Sequence, residues 1–318
     1  MGYIGKVIRV IRKKENISRA RLTEGICTEK YLYLIERGAR NPSAEMLILL
    51  SGRLGADLLK YYEYLDCHDP VTICDVVEQF NMFRRTSDFK GLRRLNDEMK
   101  QQQDFLRTPL CYEIKVNELS CMMFLDDRYE EAAHAARNTL DKMDARYAQS
   151  EFTANLYLIV STAMQHQNRL EEAGKASREA LAIVTNKESI LRYRQVVVSA
   201  RLNHMTLAHL MGDPDTVIRE GLWVNEYSIR NNLHERSGFH CFFLALGYWA
   251  KNDRAQARRW MESCLFDLLI HPNSLTVKYI TGFGPFQELL RNCNVCPDLM
   301  GRLRDRYDVF RRMEARVS

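Results

Sequence analysis

The sequence predicts an all-α chain in two parts, a small basic head of five helices and a longer helical solenoid. Three observations predict it. Glycine and proline are scarce, 15 and 7 in 318 residues, and no stretch alternates with period two for long. Tight helical connections fit that composition, and strands have no pattern to form on. Beyond Pro70, polar turns recur at Ser87-Asp88, Asp126-Asp127-Arg128, Asn168-Arg169, Gly212-Asp213-Pro214 and Asn252-Asp253-Arg254, and the steps from 88 to 128, 169, 214 and 254 are 40, 41, 45 and 40 residues. Repetition on that scale marks helix pairs that bury their apolar faces only by stacking on their neighbours. Finally, the net charge of +5 is confined to residues 1–65, where twelve Lys and Arg face seven Asp and Glu, while the other 253 residues hold 34 of each sign.

In the head, Gly5 to Lys14 reads as a helix with Ile4, Val7, Ile8 and Ile11 on one face and Lys6, Arg9 and Lys13 on the other. Ser18 can cap a second helix that turns Leu22 inward, and Gly25 sits where the chain must bend sharply. Thr28 can cap a third, on which Leu32 and Ile35 share a face while Glu29, Lys30 and Tyr33 fall elsewhere. That spacing is a helix-turn-helix, whose second helix enters the DNA major groove with its first residues at base edges. Thr28, Glu29, Lys30 and Tyr33 are therefore the expected base readers, and Arg19, Arg37, Arg40 and Asn41 the expected phosphate contacts. A local excess of positive charge is what such a module requires.

Pro42 makes Ala39 to Ser43 a loop. Ser43 then caps a fourth helix carrying Met46, Leu47, Leu50 and Leu54, which Gly55 ends. Asp57 begins a fifth with Leu58, Leu59, Tyr62 and Leu65, and Asp66 to Pro70 reads as the connection between domains. The expected domains are a DNA-binding head over 1–66 and a repeat domain over 71–318. Beyond 272 the rhythm is lost. Gly282-Phe283-Gly284-Pro285 breaks one helix and Cys296-Pro297 precedes another running through Arg302 to Arg316, so 273–318 reads as a cap or a dimer contact.

Several function classes are disfavoured. Nine unevenly spaced cysteines, with no apolar signal segment and no run able to cross a bilayer, point to a cytoplasmic chain with reduced thiols. Cys293 and Cys296 have no second pair to complete a zinc site. No phosphate-cradling glycine loop, nucleophile elbow or zincin histidine pair is present, so no metal, cofactor or enzyme chemistry is expected.

The order Leu32, Ile35, Glu36, Gly38, Arg40 and Pro42, at the spacing Leu-x-x-Ile-Glu-x-Gly-x-Arg-x-Pro, resembles the XRE/Cro-like repressors from about Gly5 to Leu65. Arg19 departs from that family's usual Gln, and Thr23 from its usual Ala. The turn-following helices are similar to the second helix of tetratricopeptide repeats, which implies a right-handed solenoid. Arg128-Tyr129-Glu130-Glu131-Ala132 matches Arg169-Leu170-Glu171-Glu172-Ala173, each with a leucine eight residues on, Leu140 and Leu181. Val217 and Ala257 take the same place in looser repeats.

The two together resemble the Rgg- and PlcR-type regulators. That resemblance implies a cytoplasmic homodimer that binds promoter DNA and takes a short linear signalling peptide in the concave face of the solenoid. Aligning the pairs puts Asn117 and Phe124, then Asn155, Leu158, Thr162 and Gln165, then Leu202, then Phe239 and Phe242 on that face, with Asn203 at its edge. Amides offer both a donor and an acceptor to a peptide backbone, and apolar neighbours take its side chains. The competing expectation is a repressor whose repeats only dimerise or bind a partner protein.

Overall fold

The computed structural model describes residues 3–233, 237–270 and 274–310, and among them every regular element is helical. The chain divides into two compact units, Met1–Met82 and Phe83–Ser318.

The first unit contains α1 (Ile4–Lys14), α2 (Arg19–Thr23), α3 (Glu29–Glu36), α4 (Ala44–Leu54), a 3₁₀ segment (Leu58–Tyr64) and the start of α5 (Pro70–Thr86). The expected caps form. Ser18, Thr28 and Ser43 accept backbone N–H bonds from Arg21, Tyr31 and Met46 at 3.1, 3.1 and 3.2 Å. Gly25 takes φ +69°, a left-handed conformation open to glycine. Gly5 has a different task, because a side chain there would collide with the Ile35 carbonyl where α1 crosses α3.

The core of this unit gathers Ile4, Val7, Ile8 and Ile11 with Leu22, Leu32, Ile35, Leu47, Leu50, Leu54, Leu58 and Tyr61. Val71 and Cys74 of α5 pack into the same core. The division between units consequently falls inside α5 and not at Asp66 to Pro70.

The expected fifth helix is corrected to a 3₁₀ segment. With three residues per turn, Leu58 and Tyr61 share the inward face, while Leu59 and Tyr62 are left 49% and 46% exposed.

In the second unit the pairs are the end of α5 with α6 (Phe89–Met99), α7 (Leu110–Asp126) with α8 (Tyr129–Asp141), α9 (Glu151–His166) with α10 (Leu170–Val184), α11 (Arg194–Leu210) with α12 (Pro214–Asn231), and α13 (Ser237–Ala250) with α14 (Arg254–Ile270). Each recurring turn holds one left-handed residue, at Ser87, Asp127, Asn168, Gly212 and Asn252. Asn and Asp tolerate that conformation through local hydrogen bonding, which explains the polar punctuation. Ala132, Ala173, Val217 and Ala257 are buried where the repeat pattern wants small residues.

Three shorter helices follow, α15 (Ser274–Gly282), α16 (Gly284–Asn292) and α17 (Pro297–Arg306). The helix expected to run through Arg316 is interrupted at Tyr307, which is extended and whose hydroxyl donates to the Leu268 carbonyl at 2.6 Å, and helical structure resumes over 308–310. Residues 311–316 of that expectation lie outside the described residues. Val277, Ile280, Phe286, Leu289, Leu303 and Phe310 join the core formed with Met261, Leu265 and Leu268, so this end is packed as a cap.

Candidate nucleic-acid interface and repeat-domain site

The head presents the start of α3 outward. Thr28, Glu29 and Lys30 are exposed, as are Arg37, Arg40 and Asn41 in the turn and loop that follow. The apolar face that fixes this orientation is fully buried at Leu32 and Ile35. Thr23, in place of the usual alanine, donates its hydroxyl proton to the Arg19 carbonyl at 2.8 Å, so its burial leaves no unpaired group.

Two expected contacts are held from within. Glu36 is buried and receives Arg12 Nε at 2.6 Å and Arg19 Nε at 2.8 Å. Burial opposes its charge, but the hydrogen bonds from Arg12 and then Arg19 outweigh burial and hold the carboxyl below the usual glutamate range. Arg19 therefore reaches outward from an anchored position, its side chain about one third exposed. Tyr33 is 39% exposed, and its hydroxyl accepts from Arg37 at 2.9 Å, which lowers its pKa. Sequence reasoning missed Arg12, whose single signal is its place four residues after Ile8, on the apolar face of α1.

In the repeats, the first helices bring three of the expected groove residues together. Asn203 Nδ2 donates to Thr162 Oγ1 at 3.1 Å, and Gln165 Nε2 donates to the Asn203 carbonyl at 3.3 Å. Ser161, fully buried and missed by the register reading, donates to Asn203 Oδ1 at 2.8 Å. A lone serine in the apolar run of α9 is its only trace in the sequence. Asn155 is half-buried and makes no hydrogen bond among the described residues. Leu158 and Leu202 are buried in the core beside this network.

Asn117 is elsewhere. It is fully buried, and its Oδ1 accepts from Arg84 at 2.6 Å, in an arrangement where Arg84 also meets Glu113 at 2.6 Å. Phe124 packs on Phe89, with ring centroids 4.6 Å apart.

Phe242 is corrected from groove to core. It has no exposed surface and packs on Phe243, Phe283 and Phe286. The surface that the alignment assigned to it belongs instead to Phe239, Tyr279, Phe283 and His209, which are partly exposed. Phe239 lies 5.3 Å from Tyr279, and His209 lies 5.6 Å from Phe283. Burial, with a smaller push from Tyr129, raises the Tyr279 hydroxyl to about 12, and burial lowers His209, so both stay neutral near pH 7. The result is an uncharged aromatic surface carried by α11, α13, α15 and the residue that caps α16.

No protein-family model and no curated sequence matches the chain. Solved structures do. Bacillus thuringiensis PlcR, in complex with the peptide PapR7 and DNA, matches with TM-score 0.62 at 16% identity, over 86% of this chain and 99% of that one. The chain shares the fold of PlcR. Streptococcus thermophilus ComR, in complex with DNA and its signalling peptide ComS, matches with TM-score 0.54 at 14% identity over 91% and 99% of the two chains. The apo form of the competence regulator ComR from Streptococcus vestibularis matches with TM-score 0.50 at 16% identity over 92% and 98%. These likenesses span both units, and among the described residues no helix is long and apolar enough to cross a membrane.

Proposed function

We propose that this chain is a cytoplasmic, homodimeric transcriptional regulator that binds promoter DNA through its head and senses a short linear peptide through its repeats. The observation that carries the reading is the joint one: a capped helix-turn-helix with its polar side chains outward, on the same chain as a helical repeat stack, in the fold of PlcR and ComR. In this reading Thr28, Glu29 and Lys30 read bases while Arg19, Arg37, Arg40 and Asn41 hold phosphates. The half-buried Asn155, Thr162 and Gln165 face peptide backbone, the last two held in place by buried Asn203, and the aromatic surface around Phe239 takes apolar side chains. The first unit, whose core takes in Val71 and Cys74 of α5, is the proposed DNA-binding domain, and the second unit serves peptide binding and dimerisation.

Two measurements on the full chain test it. Selection from random duplexes should yield a preferred sequence, and Lys30→Ala should reorder that preference by about 1–3 kcal/mol at one position. Mass spectrometry of chain purified from its native host should find a retained short peptide. A preferred duplex with no peptide, and no response of DNA binding to host peptide extracts, would favour the repressor whose repeats only dimerise.

A further inference from the structure

Position along α3 assigns Tyr33 to a base, but its surroundings give it another task. The Arg19 guanidinium carbon lies 5.2 Å from its ring centroid and that of Arg37 lies 5.7 Å away. Both are within cation–π range of a ring whose face is negative. Arg37 also donates to the Tyr33 hydroxyl, and Arg19 is held on its other side by Glu36, which takes Arg12 of α1 as well. Arg12, Glu36, Arg19, Tyr33 and Arg37 thus form one continuous array across α1, α2 and the C-terminal half of α3. Such an array fixes two long side chains that would otherwise sample many rotamers, while a guanidinium with five donors keeps N–H groups free for phosphate oxygens.

We propose that Tyr33 is a positioning residue for DNA binding, acting through Arg19 and Arg37 to present two guanidinium groups to neighbouring phosphates and not by touching a base edge. The inference rests on the DNA-binding reading. It assigns the departure at Arg19 a purpose: a glutamine there would have no charge to place on the ring.

The test compares the full chain with Tyr33→Leu, Tyr33→Phe and Arg37→Ala, using a random-sequence duplex over a salt series and the sequence ranking from duplex selection. Tyr33→Leu should weaken binding about 5- to 30-fold, the cost of ordering two arginine side chains on binding that the ring no longer holds in place. It should also flatten the dependence of log affinity on log salt while keeping the ranking of sequences. Tyr33→Phe keeps the ring and should lose less. Arg37→Ala should cost less in the Tyr33→Leu background than alone, because the two act as a unit. A reordered ranking with an unchanged salt slope would overturn the proposal and return Tyr33 to base reading. Unchanged affinity and slope would overturn it too. If Tyr33→Leu fails to fold, strictly additive losses from Tyr33→Phe and Arg37→Ala would overturn the proposal, and coupled losses would support it. Absence of salt-dependent binding by the parent chain would instead sink the DNA reading itself.

Discussion

Glu36 keeps its charge in the core of the head because two guanidinium groups meet it there. Removing it by Glu36→Ala would leave Arg12 buried without a counter-charge, at a cost of about 3–5 kcal/mol. Chemical denaturation of the full chain, followed by a probe in the head, measures that loss. The pH dependence has a definite sign. Because the folded carboxyl titrates below its ordinary 4.5, its contribution is fully present above that value and is lost as pH falls through the depressed folded pKa. The Glu36→Gln variant should therefore lose less stability on acidification than the parent, and parallel acid curves would contradict the array. Nothing in the sequence pairs Glu36 with Arg12, 24 residues apart, since such a contact exists only once α1 and α3 have crossed.

At the scale of elements, the 3₁₀ segment and the amide network each make a prediction. Leu58→Ala should cost about 2–5 kcal/mol, because Leu58 is fully buried, whereas Leu59→Ala should stay within about 0.5 kcal/mol. Equal costs measured by thermal unfolding would restore the α-helical register. In the repeats, Asn203→Ala should destabilise the fold by only about 0.5–1.5 kcal/mol, the net worth of a hydrogen bond, since fully buried Ser161 can still donate to the Ala173 carbonyl at 3.0 Å. Asn155→Ala should leave stability unchanged and weaken binding of the retained peptide, read by calorimetry. The register that placed Thr162, Gln165 and Asn203 on one side was legible from the repeat period. The same register put Phe242 one step wrong, because α13 is apolar on nearly every side and offers no polar stripe to orient it.

For the whole molecule, the proposed function carries an expectation about assembly: a single reading helix would touch few base pairs, so useful affinity would need two half-sites and a dimer. Sedimentation equilibrium of the full chain should give twice the 37.2 kDa chain mass, and a monomer at binding concentrations would sink that expectation. Truncation after residue 270 is not a clean way to make a monomer, because Phe286, Leu289, Leu303 and Phe310 would be stripped from the last core. By itself the sequence determined what periodicity and local chemistry control: the helical class, the capped helix-turn-helix, the polar turns every 40 to 45 residues and the small residues beside them. Only the tertiary structure decided which polar groups are spent inside the fold, namely Arg12 and Arg19 on Glu36, Asn117 on Arg84, and Asn203 on Ser161 and Thr162. Those partners stand 17 to 42 residues apart, so their pairing follows from how helices pack and not from any pattern along the chain.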